Sequence, residues 1–221
     1  MTFQVLSSAI ANSPPEQSVV LEGVSWQQYE LLLALLGDDF PTLRLNYLES
    51  LLEIRTNSSL HEKLKKTIGM LIESYFQETR TRFHGIGSAT FRRVAKQRGL
   101  EPDECYCLEK KKEFPDLAIE IVLSSGIVDK LDIYQGLGVT EVWVWEAGQF
   151  TLYHLRSEGY EVIECSELLP GCDIRLLAAH VKPDEQFDAV MAYRDELRKK
   201  AAMPESLDNA AALKSRFCTL R

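Results

Sequence analysis

FPDLAIEIVL, residues 114–123, is the segment that decides the fold. An apolar run rich in β-branched residues, opened by a proline and closed by Ser-Ser-Gly, is typical of a buried strand. Side chains alternate along a strand, so Asp116 and Glu120 share the face opposite Ile119 and Ile121. An ionised carboxylate removed from water is costly unless it is paired, hydrogen-bonded or bound to a metal. Glu120 therefore predicts a partner inside the protein.

The 221 residues, 45% of them hydrophobic and 26% charged, suffice for one substantial core. We expect a domain over residues 23–200, with an N-terminal extension at 1–22 and a C-terminal tail at 201–221. No apolar run is long enough to span a membrane, and the N-terminus lacks the pattern of a signal peptide. We therefore expect a cytoplasmic protein without a membrane partner.

The net charge of −8 repels polyanions at long range, which excludes a general nucleic-acid coat protein but leaves room for a local basic groove. Arg92, Arg93, Lys96 and Arg98 form either a phosphate-contacting patch or a solvated charged face. The five cysteines are odd in number and include no C-x-x-C pair. We expect reduced thiols that serve packing.

The neighbours of the 114–123 strand predict its place in a sheet. A strand at 104–108 is joined to it by the short polar connection EKKKE, so the two should be antiparallel and should bring Asp103 near Glu120. The apolar stripe at 127–137 predicts a helix with Lys130 on its flank, followed by a strand at 139–145. Strand, helix and strand in this order predict a parallel crossover.

Upstream, the pattern predicts a helix after the capping box of Ser25 and a hairpin of strands 43–47 and 51–54. A long helix should then begin with a second capping box, Ser59 with Glu62, and carry His61 within its apolar stripe. Downstream, we expect an outer hairpin of strands 150–155 and 160–164. A terminal amphipathic helix should follow at 183–200.

These residues resemble the Uma-two family, which belongs to the restriction-endonuclease-like superfamily named for its PD-(D/E)XK motif. The resemblance covers residues 24–192. Its densest parts are LEIRTNSSLHE (52–62), SATFRR (88–93), GLEPDECY (99–106), PDLAIEI (115–121) and DKLDIYQGLGVTEVW (129–143). It implies an α/β (α+β) fold: a restriction-endonuclease-like core with a mixed central sheet flanked by helices, and extra N-terminal and C-terminal hairpins.

The resemblance also implies a site. Pro102-Asp103 matches the PD, Glu120 matches the acid of the second motif, and the motif lysine is replaced by Val122. In similar family members the lysine has moved to the following helix, where this chain has Lys130. We expect Asp103 and Glu120 to bind Mg²⁺ (or Mn²⁺) and Lys130 to orient or deprotonate the attacking water, with His61 as an auxiliary catalytic group.

The implied function is a metal-dependent endonuclease that hydrolyses phosphodiester bonds of DNA, with a homodimer as one expected form. Two departures from the family pattern, Glu49-Ser50 for Asp-Gly and Arg55-Thr56 for Met-Ser, are expected to affect the hairpin turn more than the site.

Each assignment has a structural alternative. Asp103 could be a turn residue, Glu120 could form a buried ion pair with Lys130, and His61 could be a hydrogen-bonded core histidine. The whole chain could then be a catalytically inactive module that acts through protein contacts, or a defence- or transposon-associated protein whose partner binds the nucleic acid.

Overall fold

The computed structural model describes residues 16–36, 40, 43–123 and 129–202. In this part of the chain the strands are β1 (Ser18–Leu21), β2 (Leu43–Leu48), β3 (Leu51–Thr56), β4 (Phe83–Gly85), β5 (Phe91–Arg93), β6 (Arg98–Leu100), β7 (Glu104–Leu108), β8 (Leu117–Val122), β9 (Glu141–Glu146), β10 (Gln149–Arg156) and β11 (Gly159–Ile163). The helices are α1 (Trp26–Leu36), α2 (Ser59–Thr79), α3 (Lys130–Leu137), α4 (Ile174–Ala179) and α5 (Gln186–Ala202). None of the helices described here is long and apolar enough to cross a membrane.

The strands form two sheets, and the mixed central sheet predicted from the sequence is the larger one. Its order is β11-β10-β9-β8-β7-β4, with β8 parallel to β9 and antiparallel to β7. The antiparallel hairpin and the parallel crossover are thus both confirmed. The predicted C-terminal hairpin, β10–β11, forms one edge of this sheet.

The predicted N-terminal hairpin, β2–β3, is the centre of a separate five-stranded sheet of order β1-β3-β2-β6-β5. Its turn residues Glu49 and Ser50 both have positive φ, 44° and 81°, which explains why a flexible Asp-Gly suits this position in related sequences. Strand β1 pairs with β3, so the last residues of the predicted N-terminal extension contribute to this sheet.

Helix α2 packs its apolar stripe against β8 and the neighbouring strands. The stripe is buried throughout, as predicted: Leu60, Leu64, Ile68, Leu71, Ile72, Tyr75 and Phe76. The predicted capping box is wrong by one residue, because Ser58 has the extended backbone of a cap and its Oγ accepts from the backbone N–H of His61 at 3.1 Å. Glu62 instead accepts from the side-chain amide of Asn57.

Helix α1 begins with the predicted capping box. The backbone N–H of Ser25 donates to Gln28 Oε1 at 2.7 Å, and the backbone N–H of Gln28 donates to Ser25 Oγ at 3.3 Å. The helix covers the smaller sheet, where the rings of Tyr29 and Tyr47 stack with their centroids 4.7 Å apart.

Helix α3 connects β8 to β9 and sets the position of Lys130. The Asp129 side chain accepts from the backbone N–H of Leu131 at 2.9 Å, so Asp129 is the cap and Lys130 is the first residue of the helix. The helix ends at Gly138, whose φ of 81° is the left-handed conformation that glycine adopts easily. The predicted beginning of this helix at 127 lies outside the described residues.

Several predicted boundaries differ from the structure. Strand β8 begins at Leu117 instead of 114, and α5 begins at Gln186 instead of 183, while the short helix α4 was not predicted. Residues 1–15 and 203–221 lie outside the described part, so most of the extension and tail stays untested. The free thiols of Cys105, Cys107 and Cys172 are buried, as expected. Cys165 is disulfide-bonded, contrary to expectation.

Two residues of the basic cluster, Arg93 and Arg98, form contacts between different segments of the chain. Arg93 lies over the ring of Phe114 at 4.4 Å from its centroid and donates to the carbonyl of Gly136 at 3.2 Å. Arg98 forms an ion pair with Glu49 at 2.9 Å. Arg93 and Arg98 therefore make contacts within the protein, which neither a phosphate-contacting patch nor a solvated charged face predicted.

Candidate active site

The two carboxylates predicted to bind a metal lie side by side across the β7–β8 ladder. Glu104 is opposite Ile119 in that ladder, so one further step places Asp103 opposite Glu120. Asp103 and Glu120 are 3% and 2% exposed, and Asp103 Oδ2 accepts from the backbone N–H of Ile121 at 2.8 Å. The strand ends therefore bring the PD acid and the second acid together.

Glu120 accepts hydrogen bonds from two side chains of α3. Lys130 Nζ lies 2.5 Å from Glu120 Oε2, and the hydroxyl of Tyr134 donates to Glu120 Oε1. Residues four apart on a helix face the same way, so the first turn of α3 presents both groups to one carboxylate. The ammonium of Lys130 points toward the carboxylates, as the sequence predicted for a lysine that replaces the one missing at Val122.

Burial and opposite charge act against each other at these groups. Burial raises the pKa of Glu120, and the carboxylate of Asp103 adds to this effect while Lys130 opposes it. Burial would lower the pKa of Lys130, but Glu120 and Asp103 raise it above its usual value. Lys130 is therefore an ammonium at neutral pH in the metal-free protein, which suits electrostatic stabilisation better than proton abstraction.

His61 lies against Asp103 in the apolar stripe of α2. Its Nε2 is 3.2 Å from Asp103 Oδ2, and its side chain is 4% exposed. Although burial lowers the pKa of His61, the nearby carboxylates of Asp103 and Glu62 raise it to about 9. Burial alone would raise the pKa of Asp103, but His61 lowers it. The site therefore contains two ion pairs, His61 with Asp103 and Lys130 with Glu120.

The His61 pair predicts a pH dependence of stability in the metal-free protein. The pKa of His61 is raised from an unfolded value near 6.5, so its contribution is complete below about pH 6.5 and is lost as pH rises through about 9. We compare the unfolding free energy of wild type with that of His61→Asn at two pH values. The difference between the two proteins should be about 2–3 kcal/mol larger at pH 6 than at pH 10. Urea denaturation in EDTA measures this difference. A difference that does not change with pH would mean that folding leaves the pKa of His61 near 6.5, and a smaller difference at pH 6 than at pH 10 would mean that folding lowers it.

A cavity of about 180 Å³ opens beside Glu120 and Lys130, and Arg55 lines it. The Arg55 departure was expected to affect the hairpin turn more than the site, but β3 continues past the turn and carries Arg55 to the wall of this cavity. The other lining residues are Val122, Asp129, Leu131, Tyr134, Val142 and Val144.

Sequence reasoning missed two functional candidates at this site, Tyr134 and Arg55. Tyr134 was assigned to the apolar stripe of α3, although its position one turn after Lys130 was a usable signal. Arg55 stood out as a charged residue where related sequences have methionine. What could not be deduced was that Arg55 of β3 and the first residues of α3 line the same cavity, because β3 belongs to the smaller sheet and α3 connects two strands of the larger one.

Asp116 also follows a proline, but its contacts keep it out of the site. Asp116 lies before β8, where its carboxylate accepts from the backbone N–H of Leu108 at 2.8 Å and from Lys112 Nζ at 2.6 Å. These bonds close the connection between β7 and β8. Asp116 therefore stabilises the hairpin, whereas the strand register places Asp103 opposite Glu120.

Asp103 and Glu120 together form a donor set that fits a hard divalent cation. Mg²⁺ prefers oxygen ligands, takes one or two carboxylates from a protein and retains several waters. Among the described residues, no group of three or more His, Cys, Asp or Glu could hold a metal ion, so the protein itself would supply these two carboxylates only. A Mg²⁺ ion held by these two carboxylates would need water or a substrate oxygen for its remaining ligands.

Two comparisons with known proteins bear on this site. A search of the curated proteins found no match. The model of one family, Uma2, described as "putative restriction endonuclease", matches residues 26–178, which include every residue of the candidate site. Because the match spans more than half of the chain and the two-sheet α+β architecture agrees with it, the chain belongs to the Uma2 family of restriction-endonuclease-like proteins.

Proposed function

We propose that the protein is a metal-dependent endonuclease that hydrolyses phosphodiester bonds of DNA. The observation that supports this most is the meeting of Asp103, Glu120 and the Lys130 ammonium at one end of the β7–β8 ladder. Family membership favours a nuclease of this general kind. Metal dependence and the choice of DNA are our proposal.

Each side chain has a physical role in this proposal. Asp103 and Glu120 would hold Mg²⁺ or Mn²⁺, which when bound lowers the pKa of a water nucleophile and offsets charge on the scissile phosphate. Lys130 places a positive charge beside the same phosphate and orients the water. Tyr134 fixes one oxygen of Glu120, and His61 keeps Asp103 ionised.

The charge of −8 predicts weak, salt-sensitive DNA binding. A homodimer would account for cleavage of both strands, and sedimentation at assay concentration would detect it.

A second candidate function is a non-catalytic module that retains the fold and acts through protein contacts. The observation in its favour is that each buried carboxylate already has its own cation, His61 at 3.2 Å from Asp103 and Lys130 at 2.5 Å from Glu120. Two satisfied buried ion pairs are a stable arrangement that needs no metal.

Nicking of supercoiled plasmid by the purified protein at low ionic strength separates these functions. We expect nicked and linear products with Mg²⁺ or Mn²⁺ and intact plasmid with EDTA. Calorimetry should detect Mn²⁺ binding even though each carboxylate is paired with His61 or Lys130 in the metal-free protein. If neither DNA nor RNA is cleaved and no heat of Mn²⁺ binding is detected, the non-catalytic module is the correct function.

A further inference from the structure

Both oxygens of the Glu120 carboxylate have partners on helix α3. Tyr134 donates its hydroxyl to Oε1, and Lys130 Nζ lies 2.5 Å from Oε2. A neutral hydroxyl can share a carboxylate oxygen with a metal ion, because the oxygen has a second lone pair and the hydroxyl has no net charge. An ammonium repels a metal ion. Of the two partners, Lys130 is therefore the one that competes with a divalent ion for Glu120.

The position of the Lys130 ammonium makes this competition direct. A divalent ion bound to Oε2 at about 2.1 Å would lie within about 5 Å of Nζ. The side chains of Lys130 and Glu120 are 24% and 2% exposed, so little water screens the repulsion. The ammonium also interacts electrostatically with Asp103, the second expected ligand. In the metal-free protein, Lys130 thus supplies the positive charge that a metal ion would supply to the same two carboxylates.

Asp103 can bind a metal ion without losing its own partners. Its Oδ2 accepts from the backbone N–H of Ile121 at 2.8 Å and lies 3.2 Å from His61 Nε2. In the part of the chain that the structure describes, no hydrogen bond is made to Oδ1. Oδ1 is therefore the oxygen of Asp103 that a metal ion can use, and the contacts of Oδ2 can stay as they are.

His61 and Lys130 differ in how easily each can leave its carboxylate. His61 Nδ1 is 3.8 Å from Glu62, so its charge has a second partner, and the imidazole is buried in the apolar stripe of α2. Glu120 is the one ion-pair partner of Lys130 among the described residues. The ammonium is carried by a flexible four-carbon stem on the first residue of α3. Lys130 is therefore the cation that can move.

The cavity of about 180 Å³ beside Lys130 offers room for a displaced ammonium. Its charged lining residues are Glu120, Lys130, Asp129 and Arg55. Asp129 caps α3 with Oδ1, and its carboxylate offers the ammonium a second anion within the cavity. Arg55 repels the ammonium, but its ion pair with Glu16 at 3.1 Å offsets part of its charge. An ammonium that moves from Glu120 toward Asp129 therefore stays beside a carboxylate.

We propose that Lys130 is an exchangeable counter-ion of the candidate metal site: it pairs with Glu120 while the site is metal-free, and it moves into the cavity when a divalent ion binds Asp103 and Glu120. The inference rests on the proposed function, because it takes the site to bind a divalent ion. It adds an order of events to that function, since the Lys130 ammonium becomes available to a phosphate only after the ion has bound.

The first test is calorimetric titration with Mn²⁺ in the absence of DNA. Lys130→Met keeps most of the stem and removes the charge. We expect its Kd for Mn²⁺ to be lower than that of wild type by about 10-fold or more, because the ion no longer has to break the Lys130–Glu120 pair. The matched control is Lys65→Met, which removes an ammonium that is 16% exposed and 2.7 Å from a carboxylate oxygen of Glu62. Its Kd should stay within about 2-fold of wild type, because Lys65 pairs with Glu62 instead of an expected metal ligand.

The second test follows the ammonium itself in wild type. Acetic anhydride modifies free amines, and peptide mass spectrometry measures the acetylation rate of each lysine. At a Mn²⁺ concentration that saturates the site, we expect the rate at Lys130 to rise about 5-fold over the rate in EDTA, because an amine released from a buried carboxylate is more exposed and less often protonated. The rate at Lys65 should not change. Circular dichroism and thermal melting show whether each variant is folded.

The outcomes separate this inference from the proposed nuclease activity. The inference is overturned, even if the protein cleaves DNA, if folded Lys130→Met binds Mn²⁺ no more tightly than wild type, if Lys65→Met gains as much affinity, or if the metal leaves the acetylation of Lys130 unchanged. Absence of Mn²⁺ binding by both wild type and Lys130→Met also overturns it. Tighter Mn²⁺ binding by Lys130→Met and faster acetylation of Lys130, without cleavage of DNA, uphold the inference and overturn the endonuclease. If Lys130→Met does not fold, acetylation of wild type decides the question.

Discussion

Asp103→Asn and Glu120→Gln are each expected to lower the rate of metal-dependent DNA cleavage by at least about 100-fold. Both substitutions keep the size of the side chain and remove the charge that would hold the metal ion. Asn can still accept the bond from the Ile121 N–H, and Gln can still accept from Lys130, so the carboxylates can be tested without a cavity. Plasmid nicking with Mn²⁺ and calorimetric Mn²⁺ affinity measure the effect.

The matched control is Asp116→Asn. Asp116 also follows a proline and directly precedes a strand of the same hairpin, but its carboxylate accepts from the Leu108 N–H and from Lys112 instead of facing Glu120. Its cleavage rate should stay within about 3-fold of wild type, although some stability is lost with the ion pair. Strong loss of activity in Asp116→Asn with retention in Asp103→Asn would reverse the assignment of the PD motif.

Glu120→Gln needs a further control because it leaves Lys130, which is only 24% exposed, without its anionic partner. Breaking such a pair from one side destabilises more than removing both charges. The variant Glu120→Gln/Lys130→Met removes both charges and should melt closer to wild type while remaining inactive. Activity that survives in either folded variant would show that the site, or the protein responsible for the cleavage, lies elsewhere.

Local rules of the sequence predicted the elements that surround the site. A polar connection between two apolar runs predicted the antiparallel β7–β8 hairpin and therefore the approach of Asp103 to Glu120. The position of Lys130 after Val122 came from the family resemblance, and the structure gives the physical reason. Asp129 caps α3 and makes Lys130 its first residue, above the end of the strand that carries Glu120.

Long-range pairing is what the sequence could not supply. Strands β5 and β6 have three residues each, too few for an alternating pattern, and β6 pairs with β2 across a large separation in the chain. The division into two sheets follows from that pairing. The same limit hid Arg55, because its place beside Glu120 and Lys130 depends on how the smaller sheet packs against the larger one.

Glu141 is a second buried carboxylate in a strand of apolar residues. As for Glu120, its position in the sequence predicts a partner inside the protein. It is fully buried, and its carboxylate accepts from Trp143 Nε1 at 2.9 Å, Ser166 Oγ at 2.7 Å and the backbone N–H groups of Glu167 and Leu168 at 2.7 and 3.0 Å. These bonds hold the chain that follows β11 against β9.

The register places Glu141 at the opposite end of the sheet from the site. On the parallel strand β8 its partner is Leu117, whereas Glu120 is the partner of Val144. The two buried glutamates therefore have different functions. Glu120 accepts hydrogen bonds from side chains that border a cavity. Glu141 accepts hydrogen bonds from Trp143, from Ser166 and from the backbone that follows it.

Glu141→Ala is expected to lower the unfolding free energy by about 3–5 kcal/mol, because two buried and two partly buried donors lose their acceptor and His154 Nδ1 loses its contact with the carboxylate. Glu141→Gln keeps the shape but directs an amide N–H₂ at other donors, so it should cost about 2–3 kcal/mol. Urea denaturation at neutral pH measures both. The control, Glu146→Ala, removes an exposed glutamate from the other end of the same strand and should stay within about 0.5 kcal/mol of wild type.

The same variants test whether Glu141 is structural only. Below their melting temperatures, folded Glu141→Gln and Glu146→Ala should cleave DNA at the rate of wild type, because the ladder positions of Asp103 and Glu120 do not involve the contacts of Glu141. Substitutions of Glu141 should therefore lower stability without lowering the activity per folded molecule. Glu120→Gln/Lys130→Met should abolish activity with a much smaller loss of stability. A large loss of activity in folded Glu141→Gln would mean that the two ends of β9 are coupled, and that the position of β8 at the site depends on how residues 166–169 are held.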